Sequence, residues 1–414
     1  MRLLALSNGN GEDEVAVRVL RQVHQLCPAW KIQAMPIVGE GNAYQQAGIS
    51  RYGPIQQAMP SSGFFYMNHG ALLRDLRSGL LSLTWMQLQA CRQWAAEGGS
   101  ILAVGDIVPL LFARWSGSTF AFIGTAKSEY YLRPDQGAAL PAPALPRSPV
   151  HRWLDCVYHP WERWLMEHPQ CKAVFPRDAL TAAVLRQWPI PVHDLGNPML
   201  DDLAPQGRIT RERLPDAPIV LLMPGSRSPE AYANWQLILE GITPLAQNLG
   251  SLVFLAAIAS ALDLNQLQAI ATASGWQHDP QHPDWQVPHQ RLILQNAQLL
   301  LVQQAFSDGL HLADVAIAMA GTATEQCVGL GKPVITLAGA GPQFTWAFAE
   351  AQSRLLGESI HFVNHPQAIP GTLNAILKSL PQALYAANGQ RRMGKPGASI
   401  RIAAQIQTLF EPST

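Results

Sequence analysis

The sequence predicts two α/β domains in tandem, each a doubly wound parallel sheet with helices on both faces. Three observations carry this expectation. The chain has 414 residues, more than one hydrophobic core ordinarily supports. Short apolar runs of β type alternate with amphipathic helical stretches, the order that builds parallel sheets through crossover helices. The alternation pauses at a Pro-rich crossover near residues 198–218 and then restarts.

The elements follow in order. The first domain, residues 1–200, opens on the strand Arg2–Ser7, the turn Asn8-Gly9-Asn10-Gly11-Glu12-Asp13 and an amphipathic helix to about Cys27. Further strands are expected near 32–38, 101–104, 120–123, 173–175 and 192–195, with helices between them. The second domain, residues 201–398, restarts with Ile219–Met223 and continues through strands at 252–257, 291–294, 299–302, Val315–Ala318 and 333–337. Residues 399–414 form a last helix, and the Ala/Pro-rich stretch 137–149 reads as an excursion.

Composition narrows the function classes. Hydrophobic residues make up 48% of the chain, enough to bury two sheets, and the formal net charge is zero. No basic excess points to nucleic acid. The five cysteines are scattered without metal spacing or a C-x-x-C pair, which suits a reducing compartment and core positions. The chain begins directly on a strand, without the apolar core of a signal peptide, and no run reaches the roughly eighteen apolar residues of a membrane span. The expected location is the cytoplasm. Nothing in the sequence fixes an oligomeric state.

Two motifs in the second domain carry chemistry. After the strand Ile219–Met223 comes Pro224-Gly225-Ser226-Arg227, with a helix beginning at Glu230. Gly225 permits a sharp turn, the helix N-terminus favours anions, and an Arg fork suits a diphosphate. About ninety residues later the design repeats. The strand Val315–Ala318 leads into Gly321-Thr322-Ala323-Thr324-Glu325, and a first-turn carboxylate there can accept from a sugar diol. Taken singly, each motif is also an ordinary turn or a dipole-favouring acid. Their order and spacing together describe a phosphate cradle and a ribose hook.

The pair resembles the lipid-A-disaccharide synthase family and, more distantly, other sugar-nucleotide transferases of the two-Rossmann (GT-B) type. The resemblance rests on Leu222-Met223-Pro224-Gly225-Ser226-Arg227 with Glu230, on Ala320-Gly321-Thr322-Ala323-Thr324, on the strand Lys332-Pro333-Val334-Ile335, and on Leu195-Gly196-Asn197-Pro198 with Asp201. It implies two Rossmann-like domains facing across a cleft, with the last helix crossing back to the first domain. It implies that Arg227, Ser226, Thr322 and Thr324 hold the diphosphate of a UDP-sugar, the donor substrate, with no further cofactor and no required metal. In this fold the loop after the 299–302 strand is the expected uracil contact, which nominates Gln303, Gln304 and Phe306. Gln343 and Thr345, after the last strong strand, are expected near the sugar.

Two departures from the family pattern bear on specificity. The related transferases place the ribose-binding Glu seven residues before the Pro of the next strand. Here that position is Gln326 and the carboxylate is Glu325. One residue is about 100° of helix rotation, and Glu325 is the favoured ribose ligand, with Gln326 turned toward the sugar or phosphates. The family's Ile-Asp-Ala-Pro-Asp-Phe run reads Val104-Gly105-Asp106-Ile107-Val108-Pro109-Leu110 here, so the Asp after the Pro is missing.

The first domain must supply an acceptor site and a base. Ligands of open α/β sheets lie beyond the carboxyl ends of the strands, where Asn8–Asp13, Gly105-Asp106, residues 124–127 and the loop carrying His69 all fall. Asp106 is the first choice of base, with a helix N-cap as its alternative role. Glu12 is next, and Asn8, Gly9, Asn10, Gly11 and Asp13 are the acceptor-side candidates. Glu12 and Asp13 can equally cap the first helix, and His69 can be a base or a satisfied core histidine. The Gly-x-Gly turn lacks the third Gly and the later acid of a dinucleotide fingerprint. Segments 74–94, 110–122 and 151–168 mix Trp85, Trp94, Trp115, Trp153, Trp161 and Trp164 with Arg74, Arg77, Arg92, Arg114, Arg152 and Arg163. That mixture is expected at the cytoplasmic membrane surface, on a partner subunit, or in ordinary helices with half-buried Trp.

The resulting expectation is a glycosyltransferase moving a hexosyl or N-acetylhexosaminyl group from a UDP-sugar to a lipid or lipid-like acceptor with inversion. The alternatives are a UDP-N-acetylglucosamine epimerase-like enzyme, or a sugar-nucleotide-binding protein without catalysis.

Overall fold

The structure is a computed structural model. It describes residues 1–55, 80–133, 156–248, 251–280, 285–339, 341, 344–379 and 381–411. His69, Gln343, Trp153, Arg74, Arg77 and Arg152 lie outside the described residues. The chain divides into two compact units, Met1–Asp201 with Gly394 onward, and Asp202–Met393.

In unit 1 the described elements are β1 (Arg2–Ser7), α1 (Asn10–Leu26), β2 (Lys31–Pro36), α2 (Asn42–Gln46), α3 (Leu80–Ala96), β3 (Ser100–Gly105), α4 (Ile107–Ser116), β4 (Phe120–Gly124), α5 (Pro160–Met166), β5 (Cys171–Phe175) and α6 (Ala179–Leu185). The strands form one parallel sheet in the order β2-β1-β3-β4-β5. Strand periodicity divides the core. Leu4, Leu6, Ile101, Ala103, Phe120 and Phe122 face α3, α4 and α5, whose Cys91, Trp94, Leu110, Ala113, Leu165 and Met166 complete that layer. Leu3, Ala5, Leu102, Val104, Ala121 and Ile123 face α1. Each such fully buried Leu, Ile, Val or Phe side chain contributes roughly 1.5–3 kcal/mol.

Residues 192–195 do not form the expected strand. Only Val192 bridges to Val174. Pro189 and Pro191 precede it and donate no ladder hydrogen bonds.

Unit 2 contains β6 (Ile219–Met223), α7 (Glu230–Asn248), β7 (Val253–Ile258), α8 (Leu264–Ala273), β8 (Gln277–His278), β9 (His289–Leu294), β10 (Ala297–Gln303), α9 (Phe306–Leu312), β11 (Val315–Ala318), α10 (Thr322–Gly329), β12 (Val334–Leu337), α11 (Trp346–Leu356), β13 (Ile360–Val363), α12 (Ile369–Ser379) and α13 (Gln382–Met393). Its sheet runs β13-β12-β11-β6-β7-β10-β9-β8. The ladder is parallel except at β10–β9 and β9–β8, which are antiparallel. Only Gln295 and Asn296 separate β9 from β10, with Gln295 at φ 54, and so short a connection can join only antiparallel neighbours.

The last helix, α14 (Ala398–Phe410), belongs to unit 1, where Ile402, Ala403, Ile406 and Phe410 join the α1 layer. Asp201 caps it from a distance. Its Oδ1 accepts from Gly397 N at 2.5 Å and its Oδ2 from Ser399 N at 2.6 Å. All five cysteines are buried and reduced. Among the described residues, no helix is long and apolar enough to cross a membrane.

Candidate functional site

Each sheet has a switch point where successive connections leave in opposite directions, and open α/β sheets bind ligands there. In unit 2 this point lies between β6 and β11, because the chain proceeds from β6 to β7 on one side and returns through β11 on the other. The two motif loops emerge from those two neighbouring strands.

Gly225 carries φ 103, and a Cβ there would stand 3.2 Å from the Met319 carbonyl oxygen. The two loops therefore approach backbone to backbone, which a side chain at Gly225 would obstruct. Ser226 and Thr322 are exposed and Arg227 is half-buried. The loop of α10 is braced from behind. Thr324, expected among the diphosphate ligands, is buried instead and donates its Oγ1 hydrogen to Ala320 O at 2.6 Å, so the assignment of its hydroxyl to the diphosphate is corrected to a brace of the loop. Gln352 of α11, 3% exposed, donates from Nε2 to both Ala320 O and Gly321 O at 3.2 Å. With these carbonyls held, the amides of the first turn of α10 keep the outward direction that makes a helix N-terminus receptive to anions.

The other loop is held in the same way. Asn234 of α7, 2% exposed, donates from Nδ2 to Pro224 O at 3.0 Å. Glu230 accepts from Phe344 N at 2.7 Å, tying α7 to the segment after β12, and Thr345 N-caps α11 through Phe348 N. Sequence reading did not single out Asn234 or Gln352. Buried amides that grip a loop carbonyl leave no motif.

Along α10 the two ribose candidates separate. Glu325 is half-buried, whereas Gln326 is 5% exposed. The expectation that Gln326 turns toward the sugar or phosphates is corrected accordingly, since the rotation of one residue carries it into the buried side of the helix. Ala323 is half-buried beside it.

A cavity of about 470 Å³ opens near Phe306, within the size range of small-molecule sites. Gln304, at φ 59, and Ser307 line it beside Arg208, whose Nη1 donates to Gln304 O. Gln303 is removed from it, because its Nε2 donates inward to Ala259 O and Leu262 O. Asp308, 2% exposed, accepts from four successive backbone amides, those of Gln206, Gly207, Arg208 and Ile209, at 2.5–3.2 Å. This carboxylate fixes the turn that carries Arg208 to the cavity wall.

In unit 1 the strand order 2-1-3-4-5 places the switch point between β1 and β3. Asn8 follows β1 and Asp106 follows β3. Asp106 N-caps α4, its Oδ1 accepting from Val108 N at 2.8 Å and from Asn8 Nδ2 at 2.7 Å. Gly105, at φ 133, makes the second bond possible, because a Cβ there would come within 2.1 Å of Asn8 Oδ1. Both bonds fall on Oδ1. The cap and the base were alternatives in the sequence, but a carboxylate has a second oxygen, so capping leaves the acid–base role open.

Glu12, in the first turn of α1, stands beside Asp106 and accepts from Thr125 Oγ1 at 3.3 Å. Burial raises the pKa of Glu12, and the negative charge of Asp106 raises it further against the opposing backbone and Thr125 hydrogen bonds. Burial likewise raises Asp106, opposed by its bonds from Val108 and Asn8. Lys127 pairs with the buried Glu162 of α5, and both charges are felt at Asp106. Asn8 and Gly9 are half-buried, and Asn10 and Gly11 are exposed at the start of α1.

Asp13 does not belong to this crevice. It is 1% exposed, its Oδ1 accepts from Ser7 Oγ at 2.6 Å, and Ser7 in turn bonds the buried Tyr44 hydroxyl at 2.6 Å. One residue of rotation from Glu12 carries it to the inner face of α1, so its assignment to the acceptor side is corrected.

No protein-family model matches the sequence, and no curated protein matches it. Solved structures do. The chain is similar to MurG of Acinetobacter baumannii, with 14% identity over 98% of this chain and 99% of that one and a TM-score of 0.57. It is similar to UDP-GlcNAc 2-epimerase from Neisseria meningitidis, bound to UDP-GlcNAc, with 13% identity over 99% and 100% and a TM-score of 0.56. It is also similar to CalG4, the calicheamicin glycosyltransferase, with 14% identity over 99% of each chain and a TM-score of 0.58. Two Rossmann-like units, each with its ligand-type loops at the switch point of its own sheet, give this chain the GT-B fold.

Proposed function

We propose that the protein is a glycosyltransferase that moves a hexosyl or N-acetylhexosaminyl group from a UDP-sugar to a hydroxyl of a lipid or lipid-like acceptor, with inversion. The observation that carries this reading is the meeting of the Pro224–Arg227 turn and the start of α10 at one switch point, both braced from behind by buried amides. Arg227, Ser226, Thr322 and the first-turn amides of α10, with Gly225 and Gly321 giving the approach, receive the diphosphate. Glu325 accepts from the ribose diol, and the cavity beside Phe306 takes the uracil. The cation and amides serve in place of a metal. The similarity to UDP-sugar enzymes of known structure supports the donor class, and the resemblance to lipid-A-disaccharide synthases supports the lipid acceptor.

On the acceptor side Asp106 is the base. The acceptor oxygen attacks the anomeric carbon opposite the nucleotide, its proton passes to Asp106, and the bond from that carbon to the β-phosphate oxygen breaks with its electron pair leaving on UDP. Glu12, close by and also raised, holds negative charge away from Asp106 when protonated and keeps the pair from ionising together.

The paired carboxylates also suit a UDP-N-acetylglucosamine epimerase, which two carboxyl groups in one crevice can serve as acid and base. UDP release measured with and without a panel of lipid hydroxyl acceptors separates the two. Acceptor-dependent UDP release, falling about 10²–10⁴-fold in Asp106→Asn at unchanged melting temperature, is the expected result. Asn is as good an N-cap as Asp, so the substitution removes the base and spares the helix. Conversion of the donor sugar with no acceptor present would replace this reading by the epimerase one. UDP binding without any turnover would make the protein a nucleotide-sugar binder.

A further inference from the structure

Two charged residues stand at the cavity beside Phe306, Arg208 from the crossover segment and Asp308 from the first turn of α9, both within unit 2. Arg208 is exposed, yet it is held at its backbone and at its head. Its N–H donates to Asp308 Oδ2 at 2.8 Å, and its Nη1 donates to the carbonyl oxygen of Gln304. An exposed arginine ordinarily keeps its rotamer freedom, and two such anchors restrict this one to the cavity wall.

The backbone anchor is shared by the whole turn. Asp308 Oδ1 accepts from Gln206 N at 2.5 Å and Gly207 N at 3.0 Å, and Oδ2 accepts from Ile209 N at 3.2 Å as well as from Arg208 N. Ile209, 3% exposed, adds an apolar anchor on the far side of Arg208. The place of the guanidinium is thus set by a carboxylate that is itself 2% exposed.

The head keeps donors in reserve. A guanidinium has more N–H groups than one carbonyl can use, and it accepts nothing. Ser260, Ser307 and the side-chain amides of Gln206 and Gln304 also line the cavity, and hydroxyls and amides both donate and accept. Among the described residues lining the cavity, Arg208 alone is a donor that cannot accept. The pyrimidines differ where this matters. Uracil carries a carbonyl oxygen at C4, and cytosine carries an amine there. A side chain that only donates bonds the oxygen and leaves the amine facing a like donor, whereas hydroxyls and amides turn to suit either base.

With the uracil in the cavity beside Phe306, as proposed above, we infer that Arg208 selects uracil over cytosine in the donor nucleotide and that Asp308 positions it. The selection rests on that placement. Arg227 and the start of α10 hold the diphosphate, which UDP and CDP share, so they contribute affinity without distinguishing the bases.

The test is titration calorimetry of the full-length protein with UDP and CDP, beside a melting temperature for each variant. The wild type is expected to bind UDP about 10–100-fold more tightly than CDP. Arg208→Ala, on the exposed crossover, keeps the melting temperature and loses this margin through UDP alone, with CDP affinity unchanged or raised. Asp308→Asn turns an amine toward two of the four amides; it lowers the melting temperature and loses the same margin, while Asp308→Glu, which keeps a carboxylate, retains it. The double variant Arg208→Ala with Asp308→Asn shows no smaller preference than Arg208→Ala alone, as residues acting through one contact require. Arg227→Ala weakens both nucleotides alike. Equal binding of UDP and CDP by the wild type, or a preference that Arg208→Ala leaves intact, overturns the selection and leaves the donor site standing. Loss of UDP and CDP affinity together in Asp308→Asn makes Asp308 a structural brace and overturns its positioning role. Failure of the folded wild type to bind either nucleotide removes the donor site, and the selection falls with it.

Discussion

Asp13 shows how a single carboxylate can be misread from sequence and still make a prediction. Glu12 and Asp13 are adjacent acids after a Gly-x-Gly turn, and only the direction of the first helical turn decides which faces the crevice and which the core. Burial pushes Asp13 up from 3.8 to about 7 against the lowering hydrogen bond from Ser7. Its folded pKa is thus above its unfolded one, so the native state binds the extra proton between those values. Its contribution to stability is full below about pH 4 and is lost as pH rises toward 7. Asp13→Asn retains the Oδ1 acceptor for Ser7 and removes the ionisation. Denaturant melts of the variant between pH 4 and 7 are expected to show a flatter stability profile than the wild type; an identical slope would mean that Asp13 ionises in place. Asp106 makes a related prediction in kinetics. Because burial raises it, the acid limb of the turnover profile lies above the ordinary carboxylate range, and Asp106→Asn abolishes that limb.

At the scale of elements, the two loops of unit 2 act through what stands behind them. Gly225→Ala must place a Cβ at φ 103 and 3.2 Å from the Met319 carbonyl, a strain of order 1–3 kcal/mol. It is expected to lower the melting temperature and uridine-nucleotide affinity together. Gln352→Ala touches no ligand in this account, yet it frees the Ala320 and Gly321 carbonyls, and it is expected to weaken nucleotide binding about tenfold. Titration calorimetry checks both, and unchanged affinity in Gln352→Ala would mean that the loop holds its shape unaided. These loops were legible because Gly, Ser, Thr and Arg at a strand end are chemically conspicuous. Their braces were not, since Asn234 and Gln352 are single amides within helices. The hairpin β9–β10 could have been read from the two residues that separate its strands. Strand β13 is harder to see: Ile360–Val363 is four residues at the sheet edge, largely half-buried, with a His at its second position.

The whole molecule is two sheets, each covered on both faces, with the ends of its ligand-type loops at its own switch point. The tandem restart of the β–α pattern was visible because an apolar run bounded by Gly and Pro survives any detail of packing. What periodicity could not reveal is how side chains divide within a helix: Gln326 from Glu325, Asp13 from Glu12, the buried Trp94 from the exposed Trp115. The sequence-level mixture of Trp and Arg left membrane, partner and core open together. Burial sorts its residues, with Trp94 inside and Trp85, Trp115, Trp161 and Trp164 exposed. The same principle governs Asp308, an acid in a helical first turn that proves to be the anchor for four amides of the crossover.

The claim on which the rest depends is that unit 2 binds a uridine diphosphate through Arg227 and the start of α10. Thermal unfolding of the full-length protein with UDP, GDP and NAD, beside Arg227→Ala, addresses it most directly. UDP at about 100 times its dissociation constant is expected to add roughly 2.7 kcal/mol of stability, with GDP and NAD adding little. Arg227→Ala is expected to weaken UDP binding by about 10–100-fold through loss of its charge-assisted hydrogen bonds. A folded protein that no uridine nucleotide stabilises, or a UDP shift that survives in Arg227→Ala, would contradict the account.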